Sequence, residues 1–525
     1  MNIMNRKYIL LMLFVFVLGG CQIKEDDDEK LPGDKFWNEG SIESVESFML
    51  SIYSAFRDAI MMKSGMVLCA GDLRCAPVVN TESSTNYIPT VKNGWINCLK
   101  DNDIRTLRDN SADDSWYCGA IMDWSHFYKV IQSCNILEAE IGNVPGLTET
   151  DVVTYKAEAV FMRNLTYFFL VRLFGDVPYY TNAYNAKPLP RTDMVTVLKN
   201  CLSEMQTLID MEVLPWTYTV KSKKGVRANR GGAIALMMHI NLWLVQFDSG
   251  QANQYYRNVV ALGNQLINNN GETYSLLPLE STNEIFKGGS AEGLFEVAQN
   301  IAYNEVFKQE AVFSNNVMYT CFSGKKSPTL YYSSTFLRKI YPLDGMTEGG
   351  VWGFGEETDG RATAWFLDVD ATNENRDFNE VTKFKNVDAY SGSKVTSASG
   401  NQVIFRLADA ILMYAEALYA TGNSSEALIQ VNKIRTRANA KLFDETMNLE
   451  SEIYWERVRE LIGEGVYFYD LVRTGKLCDR SYAEFSDGSG HYERRANFNL
   501  GCWTWPIAKK ALGQNPYMSY NLYWE

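Results

Sequence analysis

Two helical patterns between residues 404 and 438 constrain the fold of this chain more than any other segment. Small and aliphatic residues recur three or four positions apart through both patterns, which is the spacing of one face of an α-helix. They are Ile404, Leu407, Ala408, Ile411, Leu412, Ala415 and Leu418 in the first pattern, and Ala427, Leu428, Val431, Ile434 and Ala438 in the second. Gly422 separates the two, and Asn423 can cap the second helix with Glu426 in the capping-box position. The segment therefore predicts two antiparallel helices whose alanines allow a close approach.

An antiparallel pair with glycine at the turn and alanine at the contacts is typical of tetratricopeptide repeats. Further helices are predicted from similar periodicity. They span residues 45–57, 125–140, 151–173, 194–209, 228–247, 255–267 and 452–462. These helices do not recur at a fixed period, so helix pairs interrupted by long insertions fit better than a regular solenoid.

The insertions lie mainly at residues 62–120, 270–400 and 478–525. They are rich in glycine, serine, asparagine and aromatic residues, and they contain short strand-like runs such as residues 293–297. Loops this long within a domain are usually functional. The predicted fold is mainly α, with tetratricopeptide-like helix pairs forming a scaffold and large insertions of irregular loops and short strands on one face.

The start of the chain has the pattern of a lipoprotein signal. Arg6 and Lys7 precede an apolar run over residues 8–18, which is shorter than the roughly 20 residues that cross a hydrocarbon core. Leu-Gly-Gly then leads directly into Cys21, the lipobox pattern, in which the thiol takes a diacylglyceryl group and the new amine is acylated. An ordinary signal peptide and a buried helix are the alternatives, and we predict lipidation of Cys21.

This signal predicts three parts: a signal peptide over residues 1–20, a lipidated flexible acidic tether over residues 21–35, and a single domain over residues 36–525. Several acyl chains give stable membrane anchoring, and no later stretch is long and apolar enough to span a membrane. Without Arg6 and Lys7 the mature chain carries 48 Lys and Arg against 63 Asp and Glu, a net charge of −15. Such a chain repels phosphate backbones, so nucleic acid is not an expected partner.

Nine cysteines remain after Cys21, and an odd number cannot pair completely. They are Cys69, Cys75, Cys98, Cys118, Cys134, Cys201, Cys321, Cys478 and Cys502. A disulfide or two between Cys69 and Cys134 stays open, but the irregular spacing favours buried free thiols.

Short motifs along almost the whole mature chain occur in a recognisable order. The strongest group is Ala157-Glu158-Ala159, Arg163, Tyr167, Phe168, Arg172 and Phe174-Gly175-Asp176-Val177-Pro178. The others are Phe36-Trp37; Gly71-Asp72-Leu73-Arg74; Trp124, Phe127, Tyr128, Ile131 and Asn135; Arg406-Leu407-Ala408; Tyr414-Ala415-Glu416-Ala417; Asn432 to Arg437; Glu456-Arg457, Glu460-Leu461, Glu464-Gly465, Asp470-Leu471 and Arg473; and Trp505-Pro506-Ile507, Asn515-Pro516 and Asn521. In this order, behind a lipobox, they resemble the SusD/RagB family of Bacteroidetes outer-membrane nutrient-binding lipoproteins. The chain departs from the family pattern at Tyr467, where arginine is common, and at Tyr520, where glutamine is common.

The resemblance implies a surface protein without catalytic activity, which captures an oligosaccharide and delivers it to a SusC-like TonB-dependent transporter. It also implies that aromatic residues on the irregular face hold the ligand while the helical repeats face the transporter. The acidic run at residues 22–30 resembles the export signal of lipoproteins that are moved to the cell surface, so we expect a lipid anchor in the outer membrane, facing the exterior. A peptide-binding protein of the RagB type and a surface glycoside hydrolase are the alternative functions.

Seven charged residues of these motifs stand in apolar helical contexts. They are Arg163, Arg172, Asp176, Arg406, Glu416, Arg457 and Glu464. Because a buried charge must be paired or hydrogen-bonded, we predict that they form structural ion pairs between helices and insertions.

Sugar-binding sites combine aromatic platforms with polar side chains, and five aromatic residues of the insertions are candidates. They are Trp95, Trp116, Tyr303, Tyr319 and Trp352. The alternative is ordinary packing, since aromatics make up 13% of the chain.

Neither a catalytic centre nor a cofactor other than the lipid on Cys21 is predicted. His126, His239 and His491 are far apart in the sequence and lack the spacing of metal ligands. A calcium loop at residues 368–375 is unsupported because the glycine and the terminal glutamate of that pattern are missing. Paired carboxylates for glycoside hydrolysis stay open, because their separation is spatial.

Overall fold

Helices form most of the structure in the part of the chain that the computed structural model describes. That part comprises residues 33–61, 70–80, 94–110, 119–185, 187–300, 307–308, 330–346, 352–353, 355, 357–367, 380–384, 397–398 and 400–525. Cys21 lies outside it with the predicted signal peptide and most of the tether, as do Trp116, Tyr303, Tyr319 and residues 368–375. The division into signal peptide, tether and single domain stays a prediction.

The α-helices are numbered here in chain order. They are α1 (Gly33–Asn38), α2 (Ile42–Met61), α3 (Gly94–Lys100), α4 (Ile104–Asn110), α5 (Gly119–Met122), α6 (Ser125–Glu140), α7 (Glu149–Phe174), α8 (Met194–Asp210), α9 (Arg230–Phe247), α10 (Ala252–Gly263), α11 (Ser334–Ile340), α12 (Gly360–Ala364), α13 (Leu407–Ala420), α14 (Ser424–Arg437), α15 (Leu449–Leu461), α16 (Tyr467–Arg473), α17 (Arg480–Ala483), α18 (Arg495–Asn499) and α19 (Lys509–Gln514). Short 3₁₀ helices at Ile141–Asn143, Ser249–Gln251, Leu279–Lys287, Lys476–Cys478 and Leu522–Trp524 and a π-helical turn at Asn264–Asn268 complete the helical part.

The long helices pack in succession as tetratricopeptide-like pairs. The main pairs are α6 with α7, α9 with α10, and α13 with α14, and further contacts join α2 to α6, α7 to α8, α8 to α9, and α10 to α13. The predicted mainly helical fold with such pairs is thereby confirmed. Each of the other predicted helices is present, with ends that differ from the prediction by up to four residues.

Two central helices are buried on every side. Helix α7 begins at a capping box, in which the Thr148 hydroxyl accepts from the Asp151 amide at 3.1 Å, and it ends at Gly175. All its residues from 157 to 174 are buried, and so are residues 230–244 of α9. A helix that is buried on all faces has neighbours on all faces, so these two helices form the centre of the scaffold.

The helix pair at residues 404–438 differs from the prediction at its start. Ile404 belongs to a strand, and the first helix begins only at Leu407. The turn and the cap are as expected: Gly422 adopts φ +87°, and the Asn423 side chain accepts from the Glu426 amide. The first helix starts late because the preceding residues pair with a distant segment, which helical periodicity does not reveal.

The described strands form antiparallel two-stranded pairs. They are β1 (Val78–Asn80) with β4 (Leu330–Tyr332), β2 (Gly293–Val297) with β10 (Gln402–Arg406), β3 (Phe307–Lys308) with β9 (Ser397–Ala398), β5 (Gly345–Met346) with β6 (Trp352–Gly353), and β7 (Phe366–Leu367) with β8 (Glu380–Val381). The strand-like run at residues 293–297 is thereby confirmed as β2. Its partner β10 leads directly into α13, so the second insertion is fastened to the scaffold at that point.

Arg74 fastens the first insertion to the end of the chain. Its buried guanidinium donates to the backbone carbonyls of Cys502 (2.7 Å), Trp503 (2.8 Å) and Thr504 (3.1 Å). It also donates to the Asn102 side chain at 2.8 Å. Every nitrogen of this guanidinium thus has an acceptor.

Six cysteines lie in the described part of the chain, and all have free thiols. Cys75, Cys98, Cys134, Cys201 and Cys502 are buried, and Cys478 is partly buried. The remaining cysteines lie outside the described residues. Among the described helices, none has the length and apolar character needed to cross a membrane.

Candidate functional site

The predicted ion pairs divide into five residues that form them and two that do not. Arg163 on α7 pairs with Glu138 on α6 and, at 2.9 Å, with Glu204 on α8. This one guanidinium therefore links three successive helices. Because it is buried, losing both carboxylates would leave an uncompensated charge in the core.

Arg406, at the end of β10, joins the second insertion to the scaffold. It pairs with Glu292 at 2.7 Å, with Glu460 on α15 at 2.8 Å, and with Glu464 at 2.6 Å. Arg457 on α15 pairs with Asp409 on α13 at 2.7 Å.

The carboxylate of Glu416 on α13 accepts hydrogen bonds from both terminal nitrogens of Arg473 on α16, at 2.7 and 2.9 Å. Asp470 pairs with Arg473 at 2.6 Å and with Arg457 at 3.1 Å. These pairs continue the network from α13 to α16.

Arg172 and Asp176 do not form the expected ion pairs within the described part of the chain. The Arg172 guanidinium lies over the rings of Phe168, Phe169 and Tyr469, each 4.4–4.5 Å away. These aromatic faces stabilise the cation in place of a carboxylate. Asp176 accepts from the Met194 amide at 2.9 Å and thus satisfies a free amide at the start of α8.

Several members of the buried network were not predicted. Arg361 on α12 is completely buried and pairs with Asp359 at 2.7 Å, with Glu456 at 2.7 Å and with Glu460 at 2.8 Å. Burial alone would raise the pKa of Glu456, but Arg361 and its neighbouring arginines lower that pKa to about 2. Lys383 donates to the carbonyls of Glu460 and Ile462, and burial lowers its pKa to about 8. Arg361 and Lys383 stand in an irregular insertion, where no periodicity marks a residue as buried.

The predicted aromatic platform falls outside the side chains that the structure describes. The backbones of Trp95 and Trp352 lie in α3 and β6, but their side chains are outside the described set, and Trp116, Tyr303 and Tyr319 are outside it altogether. All five therefore stay predictions.

A cleft of about 790 Å³ opens beside the second insertion. Its walls are the exposed face of α2, the loop at residues 221–227, residues 287–289 and 296–300, and Asn401, and we call it the insertion cleft. Helix α2 buries Val45, Met49, Ile52 and Phe56, which leaves its serines and Glu46 facing the cleft. The volume lies within the range of ligand-binding clefts, about 300–1,000 Å³.

The floor of the insertion cleft is a hydrogen-bonded group around Arg227. This arginine donates to both oxygens of Glu158 at 2.6 and 2.7 Å and to Glu46 at 2.7 Å. The Tyr53 hydroxyl donates to Glu158 at 2.8 Å and accepts from the Ala228 amide. The fork of Arg227 on Glu158 fixes the loop against α7.

A buried carboxylate, Glu296, forms part of the wall next to this loop. One oxygen accepts from the Gly289 amide at 2.9 Å and from Asn401 at 2.8 Å. The other oxygen has no hydrogen-bond donor among the described residues. Burial raises the pKa of Glu296, against the lowering effect of these hydrogen bonds and of Lys224. Its backbone amide donates to Gly225 at 2.8 Å and so ties this wall to the loop.

Four lysines line the insertion cleft. Lys221, Lys223 and Lys224 belong to the loop and Lys287 to the facing segment. Lys223 lies 3.6 Å from Glu46, and Lys287 pairs with Glu284. Within the described chain, Lys221 and Lys224 have no carboxylate within 4 Å.

Two other clefts lie between scaffold helices. One of about 730 Å³ is lined by residues of α8, α9 and α10, including Arg230, Asn241 and Asn258, and one of about 300 Å³ lies beside Glu416 and Arg473. The insertion cleft is the one of the three that borders the irregular face.

The described residues contain no group of three or more histidine, cysteine or carboxylate side chains that could hold a metal ion. His239 Nε2 lies 2.7 Å from Asp409 inside the network, which is the arrangement expected of a core histidine. His126 lies 3.6 Å from Asp123 and His491 3.3 Å from Glu493.

Comparison with known proteins gives consistent matches over most of the chain. A family model described as "SusD family" matches residues 248–524, and one described as "Starch-binding associating with outer membrane" matches residues 70–242. A solved SusD homolog from Bacteroides thetaiotaomicron is 46% identical with a TM-score of 0.83, over 93% of this chain and 100% of that one.

Two sequence relatives are more distant. SusD-like protein P38 of Formosa agariphila is 23% identical over 505 residues, which cover 90% of this chain and 91% of that protein. The starch-binding protein SusD of Bacteroides thetaiotaomicron is 22% identical over 382 residues, which cover 64% of this chain and 67% of that protein.

Proposed function

Because this chain belongs to the SusD family, we propose that it is a lipid-anchored outer-membrane protein that captures an oligosaccharide and delivers it to a SusC-like TonB-dependent transporter. The observation that carries the proposal is the match to a SusD homolog over the full length of that protein, at 46% identity. The starch-binding relative and the family description that names the outer membrane support a glycan as cargo and the membrane as location. Acylated Cys21 is the anchor, and the acidic tether holds the protein at the outer face.

Capture in this proposal is reversible binding through many weak contacts, with no covalent bond made or broken. The loop and the segment that contains Glu296 form two walls of the insertion cleft. Their positions are fixed, because Arg227 of the loop binds Glu158 of α7 and the Glu296 amide binds the Gly225 carbonyl. A binding surface that is ordered before the ligand arrives loses less conformational entropy on binding. Delivery follows from hinged movement of the whole protein against its transporter.

A binding screen tests the proposed cargo. The full-length chain, purified in detergent, is run through native gels that contain one polysaccharide each, and positive polysaccharides are then measured by titration calorimetry. We expect retardation by at least one polysaccharide and a measurable affinity for its oligosaccharides. Binding of peptides with no response to any polysaccharide would overturn the glycan proposal in favour of the RagB-type alternative.

The absence of catalysis is tested on the same material. Each bound polysaccharide is incubated with the protein, and new reducing ends are counted over hours. We expect none, since capture alone is proposed. Steady release of reducing ends would instead identify a surface glycoside hydrolase.

Association with the transporter is tested in outer membranes of the source cell. Chemical cross-linking followed by purification of this chain should recover a TonB-dependent barrel protein in stoichiometric amount. Recovery of the chain without any such protein would refute the delivery step while leaving glycan binding intact.

A further inference from the structure

The charge of the insertion cleft is opposite to that of the molecule. The chain as a whole has 50 Lys and Arg against 63 Asp and Glu. Among the described residues that line the cleft, the cations outnumber the carboxylates by six to two. The cations are Arg57, Lys221, Lys223, Lys224, Arg227 and Lys287, and the carboxylates are Glu46 and Glu296. A local excess of cations in an acidic protein concentrates anionic ligands at that place.

Internal pairing accounts for some of this charge and leaves the loop lysines available. The Arg227 guanidinium is already paired with Glu158 and Glu46 at the floor of the cleft. Glu46 is also the carboxylate nearest to Lys223, so one negative charge serves two cations. Lys221 is exposed and Lys224 half-buried, and neither has a carboxylate within 4 Å among the described residues.

The loop that presents these lysines is ordered by its own backbone. The amides of Lys223 and Lys224 donate to the Val220 carbonyl at 2.9 and 3.2 Å, and the Arg227 amide donates to Lys223 at 3.0 Å. Gly225, at φ +72°, then turns the chain so that its carbonyl receives the Glu296 amide. The backbones of Lys221 and Lys224 are therefore held in place, and binding has only their side chains to order.

Glu296 is one carboxylate against the two loop lysines Lys221 and Lys224. It is buried, and burial raises its pKa, against the lowering effect of its hydrogen bonds and of Lys224. The serines of α2, together with Gln299 and Asn401, add neutral donors and acceptors to the same walls. Cations combined with hydroxyl and amide groups match a ligand that carries both negative charges and many hydroxyls.

We propose that the insertion cleft recognises an anionic oligosaccharide, whose carboxylate or sulfate groups bind Lys221 and Lys224 while its hydroxyls bind the serine and amide side chains. This inference rests on the proposed glycan-binding function and specifies the class of glycan. Uronic acid carboxylates and sulfate esters share the required negative charge, so the test includes one probe of each kind.

The experiment compares two double variants with the same change of net charge. Lys221→Gln/Lys224→Gln removes the two loop cations, and Lys509→Gln/Lys510→Gln removes two exposed lysines of α19 that do not line the cleft. The full-length proteins in detergent are titrated with oligosaccharides of polygalacturonate, chondroitin sulfate and amylose at low and high salt. Thermal melting of both variants should match the parent, because all four side chains reach solvent.

We expect the parent to bind at least one of the two anionic probes more tightly than amylose, with an affinity that falls as salt rises. The loop variant should lose about tenfold in affinity for that probe, which corresponds to about 1.4 kcal/mol, and the α19 variant should lose none. Equal losses in both variants would overturn the inference, because they would indicate non-specific attraction. An affinity for a DNA duplex equal to that for the anionic probe would also overturn the inference.

The outcomes separate this inference from the function on which it rests. Binding of amylose or another neutral glycan without binding of either anionic probe would refute the anionic class and leave glycan capture standing. Absence of binding to any polysaccharide would refute both.

Discussion

Single buried arginines connect the insertions to the scaffold. A buried ion pair contributes little compared with a well-packed apolar pair, but removal of one partner leaves a charge that neither water nor another charge compensates. Arg406 is one example, since three carboxylates from two parts of the chain converge on it.

Replacement of Arg406 by methionine should therefore lower the free energy of unfolding by about 3–5 kcal/mol. Among the described residues, Glu292, Glu460 and Glu464 would then share only Arg361, Arg437 and Lys383 as cations. The expected loss reflects the cost of removing one partner from a buried group of charges. The matched control is Lys441→Met, which removes one member of an exposed pair with Glu357 and should cost less than about 1 kcal/mol. Urea unfolding followed by tryptophan fluorescence measures both, and similar small losses would contradict the structural role of Arg406.

Asp72 is a buried acid whose protonation changes near neutral pH. One oxygen accepts from the Gly465 amide at 2.6 Å, and the other has no donor among the described residues. Burial raises the pKa of Asp72 from 3.8 to about 7, against the opposing hydrogen bond and the charge of Lys383. Between these two values the unfolded chain is ionised while the folded chain keeps its proton. Its contribution to stability is therefore fully present below pH 3.8 and is lost as the pH rises to about 7.

Asp72→Asn should remove this penalty, because an amide mimics the protonated acid. We expect equal stability of variant and parent near pH 4, and a variant that is more stable by on the order of 2–4 kcal/mol above pH 7. Melting curves of both proteins across this pH range measure the difference. A gap that is constant with pH would show that Asp72 is ionised in the folded protein throughout.

At the scale of the elements, one close contact between two helices depends on a glycine. Gly263 ends α10 where the ring of Tyr414 on α13 crosses it, and a Cβ atom there would lie 2.5 Å from a ring carbon. Below about 3.0 Å one of the two groups must move, and the ring is held inside the scaffold.

Gly263→Ala should accordingly destabilise the protein by about 1–3 kcal/mol through overpacking between α10 and α13. Gly250→Ala, thirteen residues earlier in the chain, places its Cβ atom in open space and serves as the control. Chemical denaturation compares the two variants. An unchanged midpoint for Gly263→Ala would mean that the two helices separate at little cost.

The elements that could be predicted from sequence are those whose burial repeats locally. Helix α2 shows one apolar stripe, and the pair α13 and α14 shows two with a glycine between them. The residue at which α13 begins could not be predicted, because β10 pairs with a strand more than 100 positions earlier in the chain.

The residues of the candidate site were harder to predict from the sequence than the helices of the fold. Arg163, Arg406, Glu416, Arg457 and Glu464 stood out as charges in apolar helical motifs, and each has a partner in the structure. The loop lysines of the insertion cleft had no such signal, because a run of lysines in a polar loop usually marks only a solvated surface. Their significance depends on the distant segments that line the same cleft, which the sequence does not reveal.

At the scale of the whole molecule, the proposed anchoring depends on a single atom, the sulfur of Cys21. Cys21→Ser should abolish acylation, because a hydroxyl does not replace the thiol as the acceptor of the diacylglyceryl group. We expect the parent in the membrane pellet and the variant in the soluble fraction after cell lysis, while the glycan affinity of the two purified proteins stays equal. Membrane association of the variant at the level of the parent would contradict the lipid anchor.

The Arg74 contacts also make one part of the fold depend on a very distant part of the chain. The three carbonyls that receive its guanidinium belong to residues 502–504, more than 420 positions later in the chain. Closing such a long loop is entropically unfavourable. A chain truncated before residue 502 would leave this buried guanidinium without three of its acceptors. Folding of the first insertion therefore depends on residues 502–504, and loss of these residues would affect a region more than 420 positions earlier in the chain.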